Sequence, residues 1–72
     1  MKKYIGTTFV DRLLIERDEL NERLNKLRQF IESPKFAEIV TDKYHRLLLF
    51  KQESMMHAYL EILNERIKLL QR

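Results

Sequence analysis

From Asp42 to Arg72 the chain reads DKYHRLLLFKQESMMHAYLEILNERIKLLQR, with neither Gly nor Pro. Its apolar residues return at steps of three and four, the spacing of one helical face rather than of a strand. One line runs through Leu49, Glu53, Met56, Leu60, Leu63, Ile67 and Leu70. A second, beside it, runs through Leu48, Gln52, Met55, Tyr59, Ile62, Arg66 and Leu69. A helix packed on a single partner needs only one narrow apolar seam. Two adjacent seams, edged by Tyr44, Leu47, Phe50 and Ala58, form an arc that one companion helix cannot cover. Left bare, that arc is larger than soluble monomers usually expose.

The rest of the chain supplies one such companion. Thr8 has the character of an N-cap, with Asp11 three residues on as the acidic half of an approximate capping box. The spacing predicts helix one over residues 8–32, from Phe9 to about Glu32 behind its Thr8 cap. Val10, Leu13, Arg17, Leu20, Leu24, Leu27 and Ile31 form its seam, broken only by Arg17. Asp11, Glu16, Asp18, Glu19 and Glu22 precede Arg23, Lys26 and Arg28 along it, the order that the helix macrodipole favours. Ser33-Pro34 ends the helix, because the residue before Pro is pushed out of the helical region. Ser33 then caps a short helix over residues 34–40, with Pro34 at its first position and Phe36, Ile39 and Val40 on its apolar side. Thr41 or Asp42 caps the long helix over residues 42–71. Two long helices joined by so short a connection return antiparallel. The expected fold is all-α: one helical domain over 1–72, an antiparallel helical hairpin with a short connecting helix, preceded by an arm over residues 1–7.

A chain of 72 residues lies near the lower limit for a self-sufficient core. It has no Cys, so disulfides and thiolate metal sites are excluded as staples. Association of copies remains, and the reading is a homo-oligomeric helical bundle, a dimer or higher. The competing reading covers the second seam within one chain, using the short helix and the arm.

Charge and hydropathy narrow the partners. A net charge of +3, from 14 Lys and Arg against 11 Asp and Glu, is a small surplus. Acids are interleaved throughout both helices, so no face is strongly positive and no DNA partner is expected. No apolar run reaches the roughly 20 residues of a membrane span, and no apolar signal-peptide region follows Met1-Lys2-Lys3. A cytoplasmic protein without a membrane partner is expected.

Catalysis finds no support, and neither a catalytic residue nor a cofactor is expected. There is no Gly-rich phosphate loop, no Cys nucleophile and no Ser with a plausible His beside it. His57 with Glu61 and Asp42 with His45 each give two metal ligands at helical spacing, short of the three or four that zinc takes.

Binding chemistry is better placed. In an antiparallel hairpin closing near residue 37, facing residues have numbers summing to about 75. Arg66 then lies near Phe9, Tyr59 near Glu16, and Gln52 near Arg23. Arg12 and the arm with Tyr4 share the Arg66 end. Guanidiniums offer planar bidentate donors to phosphate, and aromatic rings offer stacking faces. Tyr4, Phe9, Arg12, Gln52, Tyr59 and Arg66 are therefore the candidate ligand-binding residues. Each also has a plainer reading: Arg66 paired with Glu16 or Glu65, Tyr59 donating to a carboxylate, Gln52 fixing register, Tyr4 folded back on the core.

Arg12, Leu13, Glu16, Glu19, Leu20, Leu27, Phe30 and Ile31 in the first helix, with Arg46-Leu47, Gln52, Met56, Tyr59, Leu63, Arg66 and Ile67 in the last, carry a family resemblance. Over about residues 9–70 the chain resembles small helical bacteriophage proteins, the phage nucleotide sponges. The resemblance implies a viral immune-evasion protein in the host bacterial cytoplasm. Such a protein sequesters cyclic oligonucleotide signals of the cyclic dinucleotide type, cGAMP among them, without cleaving them, and blocks CBASS-type antiphage defence. Arg12, Gln52, Tyr59 and Arg66 match its pattern. The alternative is a coiled-coil adaptor whose open seam accepts a helix of a host or phage protein.

Overall fold

A computed structural model describes residues 8–71. Within them the chain is all-helical: α1 spans Phe9–Glu32, α2 Phe36–Ile39 and α3 Lys43–Gln71. Thr8 is extended, and its Oγ1 accepts the Asp11 N–H at 3.1 Å, supplying a partner for one of the unpaired donors at the start of α1. Thr8→Ala should cost about 1 kcal/mol, read as a fall in the midpoint of urea unfolding at an unchanged slope. An unshifted midpoint would mean that the cap contributes nothing.

At the other end of α1 the backbone turns extended at Ser33, as a residue before Pro prefers. The short helix starts at Phe36, two residues later than Pro34, because Pro34 and Lys35 form a turn first. Ser33 still serves that turn: its Oγ accepts the Lys35 N–H and its carbonyl accepts the Phe36 N–H, both at 3.1 Å. Asp42 starts α3, its Oδ1 accepting the Tyr44 N–H at 2.8 Å.

The connection is fastened by side chains from both long helices. Phe36 is buried, meeting Phe30 edge-on at 5.5 Å between ring centroids and Phe50 at 5.7 Å. Such aromatic pairs add stabilisation beyond the area they bury. Arg46 reaches back from α3, donating from Nε to the Val40 carbonyl at 2.6 Å and from Nη2 to the Ala37 carbonyl at 3.1 Å. One guanidinium thus satisfies carbonyls that the end of α2 would otherwise leave open.

α1 and α3 pack along each other, with paired residues in opposite order: Phe9 with Arg66, Glu16 with Tyr59, Arg28 with Glu53. Between them Leu13, Leu20, Leu63 and Ile67 form the core cluster, with Leu14, Met56 and Leu60 against it. Leu24 and Leu63 are fully enclosed. Apart from Leu14, these are residues of the α1 seam and of the first α3 line. Arg17, which interrupts the α1 seam, is half-buried and pairs with Asp18 at 2.9 Å.

The second α3 line lies open. Leu48, Met55, Tyr59, Ile62 and Leu69 are all exposed, Met55 by 67% and Ile62 by 56%. The molecule measures 44 × 26 × 15 Å. Its shortest dimension is little more than one helix with its side chains, and among the described residues no element is stacked on the outer side of α3. α2 sits over the Phe30 and Phe50 rings and leaves this line uncovered.

Candidate functional site

The two flanks of the α1–α3 seam differ in chemistry. On one flank Arg28 crosses to α3, donating from Nε to Glu53 at 2.7 Å, while its Nη2 lies 3.0 Å from His57 Nδ1. His57 Nε2 is 3.6 Å from Glu61. Farther along, Arg17, Asn64, Lys68 and Gln71 line an open groove of about 520 Å³ with Glu61 and Glu65. Cations and carboxylates alternate here, and the flank is a solvated, charge-balanced side of the rod. Among the described residues no three His, Asp or Glu side chains gather as metal ligands.

The other flank holds the candidate residues, and it borders the open apolar line. Phe9 begins α1 and is 58% exposed, with the Arg66 guanidinium carbon 5.5 Å from its ring centroid. This is a cation–π distance, worth about 0.5–1 kcal/mol at an exposed site. Two α3 turns away, the Tyr59 hydroxyl donates to Glu16 Oε2 across the seam. Arg12 stands on the same side of α1, one turn from both Phe9 and Glu16, since residues three and four apart are helical neighbours. Neither Arg12 nor Arg66 forms an ion pair among the described residues. Beside Arg66 a shallow groove of about 410 Å³, lined by Ala58, Ile62 and Leu69 together with Glu61 and Glu65, continues along α3.

The bond to Glu16 raises the Tyr59 pKa above the ordinary phenol value of 10.0; partial desolvation and the Glu16 charge add to it, and Arg66 opposes it. A raised value means that folding favours the neutral phenol. The stabilisation is therefore present at neutral pH and is lost as pH climbs above 10.0 through the folded-state value. Glu16→Gln should bring the Tyr59 titration back toward the ordinary value, measured by tyrosinate absorbance against a Tyr59→Phe blank. No movement would mean that Glu16 is not the cause.

The structure thus brings Phe9, Arg12, Tyr59 and Arg66 to one end of one flank, around Glu16. Gln52 lies apart, two turns toward the closed end, with its amide nitrogen 3.8 Å from the Met56 sulfur. No hydrogen bond joins it to Arg23, whose guanidinium is drawn to Glu19 on its own helix, 3.9 Å away. Tyr4 lies outside the described residues. Tyr59 follows the plainer sequence reading, donating to a carboxylate within its own chain. Two features were not anticipated, the Arg28–Glu53 bridge and the Arg46 fastening. Glu53 occupies a seam position, and only its half-burial beside a crossing cation reveals its use.

Chemically this end is a half-open cationic and aromatic surface with Glu16 across the seam and Glu61 and Glu65 along the groove beside Arg66, able to hold an anion with a flat ring at its guanidiniums. None of the described helices is long and apolar enough to cross a membrane. No curated protein and no solved structure matches the chain. A family model does, over residues 7–69. Those residues are most of the chain and include both long helices and their connection, so the protein belongs to the Sequestin family, a name that denotes holding a partner rather than transforming it.

Proposed function

We propose that this protein binds cyclic oligonucleotide second messengers of the cyclic dinucleotide type and holds them without cleavage. In a phage-infected bacterium it thereby blocks CBASS-type signalling from the host cytoplasm. The observation that carries this reading is the pair of guanidiniums, Arg12 and Arg66, that stand beside exposed Phe9 and Tyr59 with no carboxylate paired to either among the described residues. Guanidinium forks suit phosphate, and the rings suit bases. Membership of the Sequestin family supports sequestration over turnover. Gln52, two turns toward the closed end, and Tyr4, outside the described residues, complete the candidate set.

The reading includes assembly. The antiparallel hairpin has its second α3 line uncovered, and copies of itself are the simplest cover, giving a homo-oligomeric bundle of two or more chains with the ligand held at the join. Ile62→Glu places a charge in that line and should shift the species seen by sedimentation from oligomer to single chain. A wild-type single chain at micromolar concentration would remove the assembly.

Calorimetry across a panel of cyclic dinucleotides, followed by denaturation and chromatography of the released ligand, tests the whole. Binding with full recovery of intact nucleotide is expected. Absence of heat for every member, or recovery of linear products, would overturn it. The open Leu48–Leu69 line also favours a second reading, an adaptor that accepts another protein's helix. That reading requires a groove still open in the purified protein, which a closed oligomer would contradict.

A further inference from the structure

Four exposed apolar residues of the second α3 line, Leu48, Met55, Ile62 and Leu69, stand seven residues apart. Seven residues are nearly two full turns, so the four form one lane along α3, the spacing on which a second helix seats in a coiled coil. Two exposed rows flank the lane at about 50° to either side. Lys51, Ala58 and Glu65 form one row, and Gln52, Tyr59 and Arg66 the other. Lys51 makes no ion pair among the described residues. Glu65 pairs with Lys68 of its own helix at 3.5 Å, an exposed contact of little strength. The buried first line, which holds α1, lies on the Arg66 side of the lane.

We infer that a second copy of this chain lies antiparallel on the lane, α3 against α3, and that its Gln52 completes the anion site at Arg66. The inference rests on the assembly proposed above and fixes its orientation and register. In an antiparallel two-fold pair each row faces itself, and facing residues have numbers summing to about 117. Leu48 then meets the partner's Leu69, and Met55 the partner's Ile62. Lys51 gains the partner's Glu65, the small Ala58 lies at the two-fold axis, and Gln52 comes opposite the partner's Arg66. The partner's Leu48 and Met55 fill the shallow groove of about 410 Å³ that Ala58, Ile62 and Leu69 help to line. Both copies of α1 stand on one side of the α3 pair, so Phe9, Arg12 and Arg66 line a cleft rather than an open flank. A neutral amide opposite Arg66 leaves its guanidinium free for an anion. A parallel pair faces opposite rows instead. Lys51 would meet the partner's neutral Gln52, and the partner's Glu65 would take Arg66. A parallel pair also aligns the two α3 macrodipoles, which an antiparallel pair opposes.

Single-cysteine variants of the full chain test the register, since the sequence has no Cys of its own. Under mild oxidation Ala58→Cys should give a disulfide-linked dimer. Gln52→Cys and Arg66→Cys should each stay unlinked alone and form a mixed dimer when combined, while Leu48→Cys should not link to itself. Lys51→Glu should loosen the pair by about three- to tenfold in sedimentation, and adding Glu65→Lys should restore the affinity. The charge exchange needs no cysteine, so the inference stays testable if a thiol variant misfolds. Leu48→Cys linking to itself, no mixed link between Gln52→Cys and Arg66→Cys, or no recovery in the double charge variant would overturn the antiparallel register and leave association standing. A wild-type chain that sediments singly at micromolar concentration would remove both. No readout involves a nucleotide, so each outcome holds whether or not one binds.

Discussion

Leu63→Ala should destabilise the protein by about 2–5 kcal/mol, the range for truncating an enclosed Leu to Ala. Leu63 is fully enclosed and touches the cluster of Leu13, Leu20 and Ile67 that joins α3 to α1. Removing its branched end withdraws contacts from both helices, and α2 is too short and too far toward the other end to collapse into the gap. A domain of this size has few kcal/mol to lose, so the transition temperature should fall by more than about 10 °C. The comparison belongs at one protein concentration, because association of copies raises apparent stability by mass action. A loss under about 1 kcal/mol would mean that the seam relaxes around the cavity, and that the cluster is not what holds α1 on α3.

The combined change Arg12→Ala and Arg66→Ala should weaken cyclic dinucleotide binding by at least about a hundredfold. Each hydrogen bond to a charged group contributes about 1.5–3 kcal/mol, and 1.4 kcal/mol is about a factor of ten. Neither guanidinium supports the fold through an ion pair among the described residues. Helicity and melting should therefore hold nearly steady, apart from the modest cation–π contact of Arg66 with Phe9. Arg66→Lys separates geometry from charge: a lysine keeps the charge and loses the planar fork, so an intermediate affinity is expected. Calorimetry and circular dichroism on the same samples check both halves. Unchanged affinity in the double variant would place the phosphates elsewhere on the molecule.

The second α3 line gives these two results a common setting. Its residues are apolar enough to be core, yet Met55, Ile62 and Leu69 remain more than half exposed. Arg66 belongs to that line and Phe9 faces it across the seam. Whatever covers the line therefore passes beside the candidate site, which links occupancy of the site to the cover. This is why the Ile62→Glu and double-arginine variants should be compared in one series.

Much of this was legible in the residue order, for a local reason. Helical periodicity, the Thr8 cap, the break at Ser33-Pro34 and the two lines of α3 are properties of residues within a few positions of one another, and the backbone enforces them without outside help. Their surplus was legible too, since an apolar arc wider than one helix can cover is visible before any helix is placed. What the order of residues leaves free is the rotation of α3 about its axis and its slide along α1. Those fix which line is buried, and they follow from how Leu13, Leu20, Leu63 and Ile67 interlock. That choice put Tyr59 against Glu16 and Arg66 over Phe9, turned Gln52 toward Met56 and set Arg46 on two carbonyls at the turn. Periodicity assigns a side chain to a face; only packing between helices decides which partner it meets there, because contact depends on a few ångströms of slide that spacing does not encode.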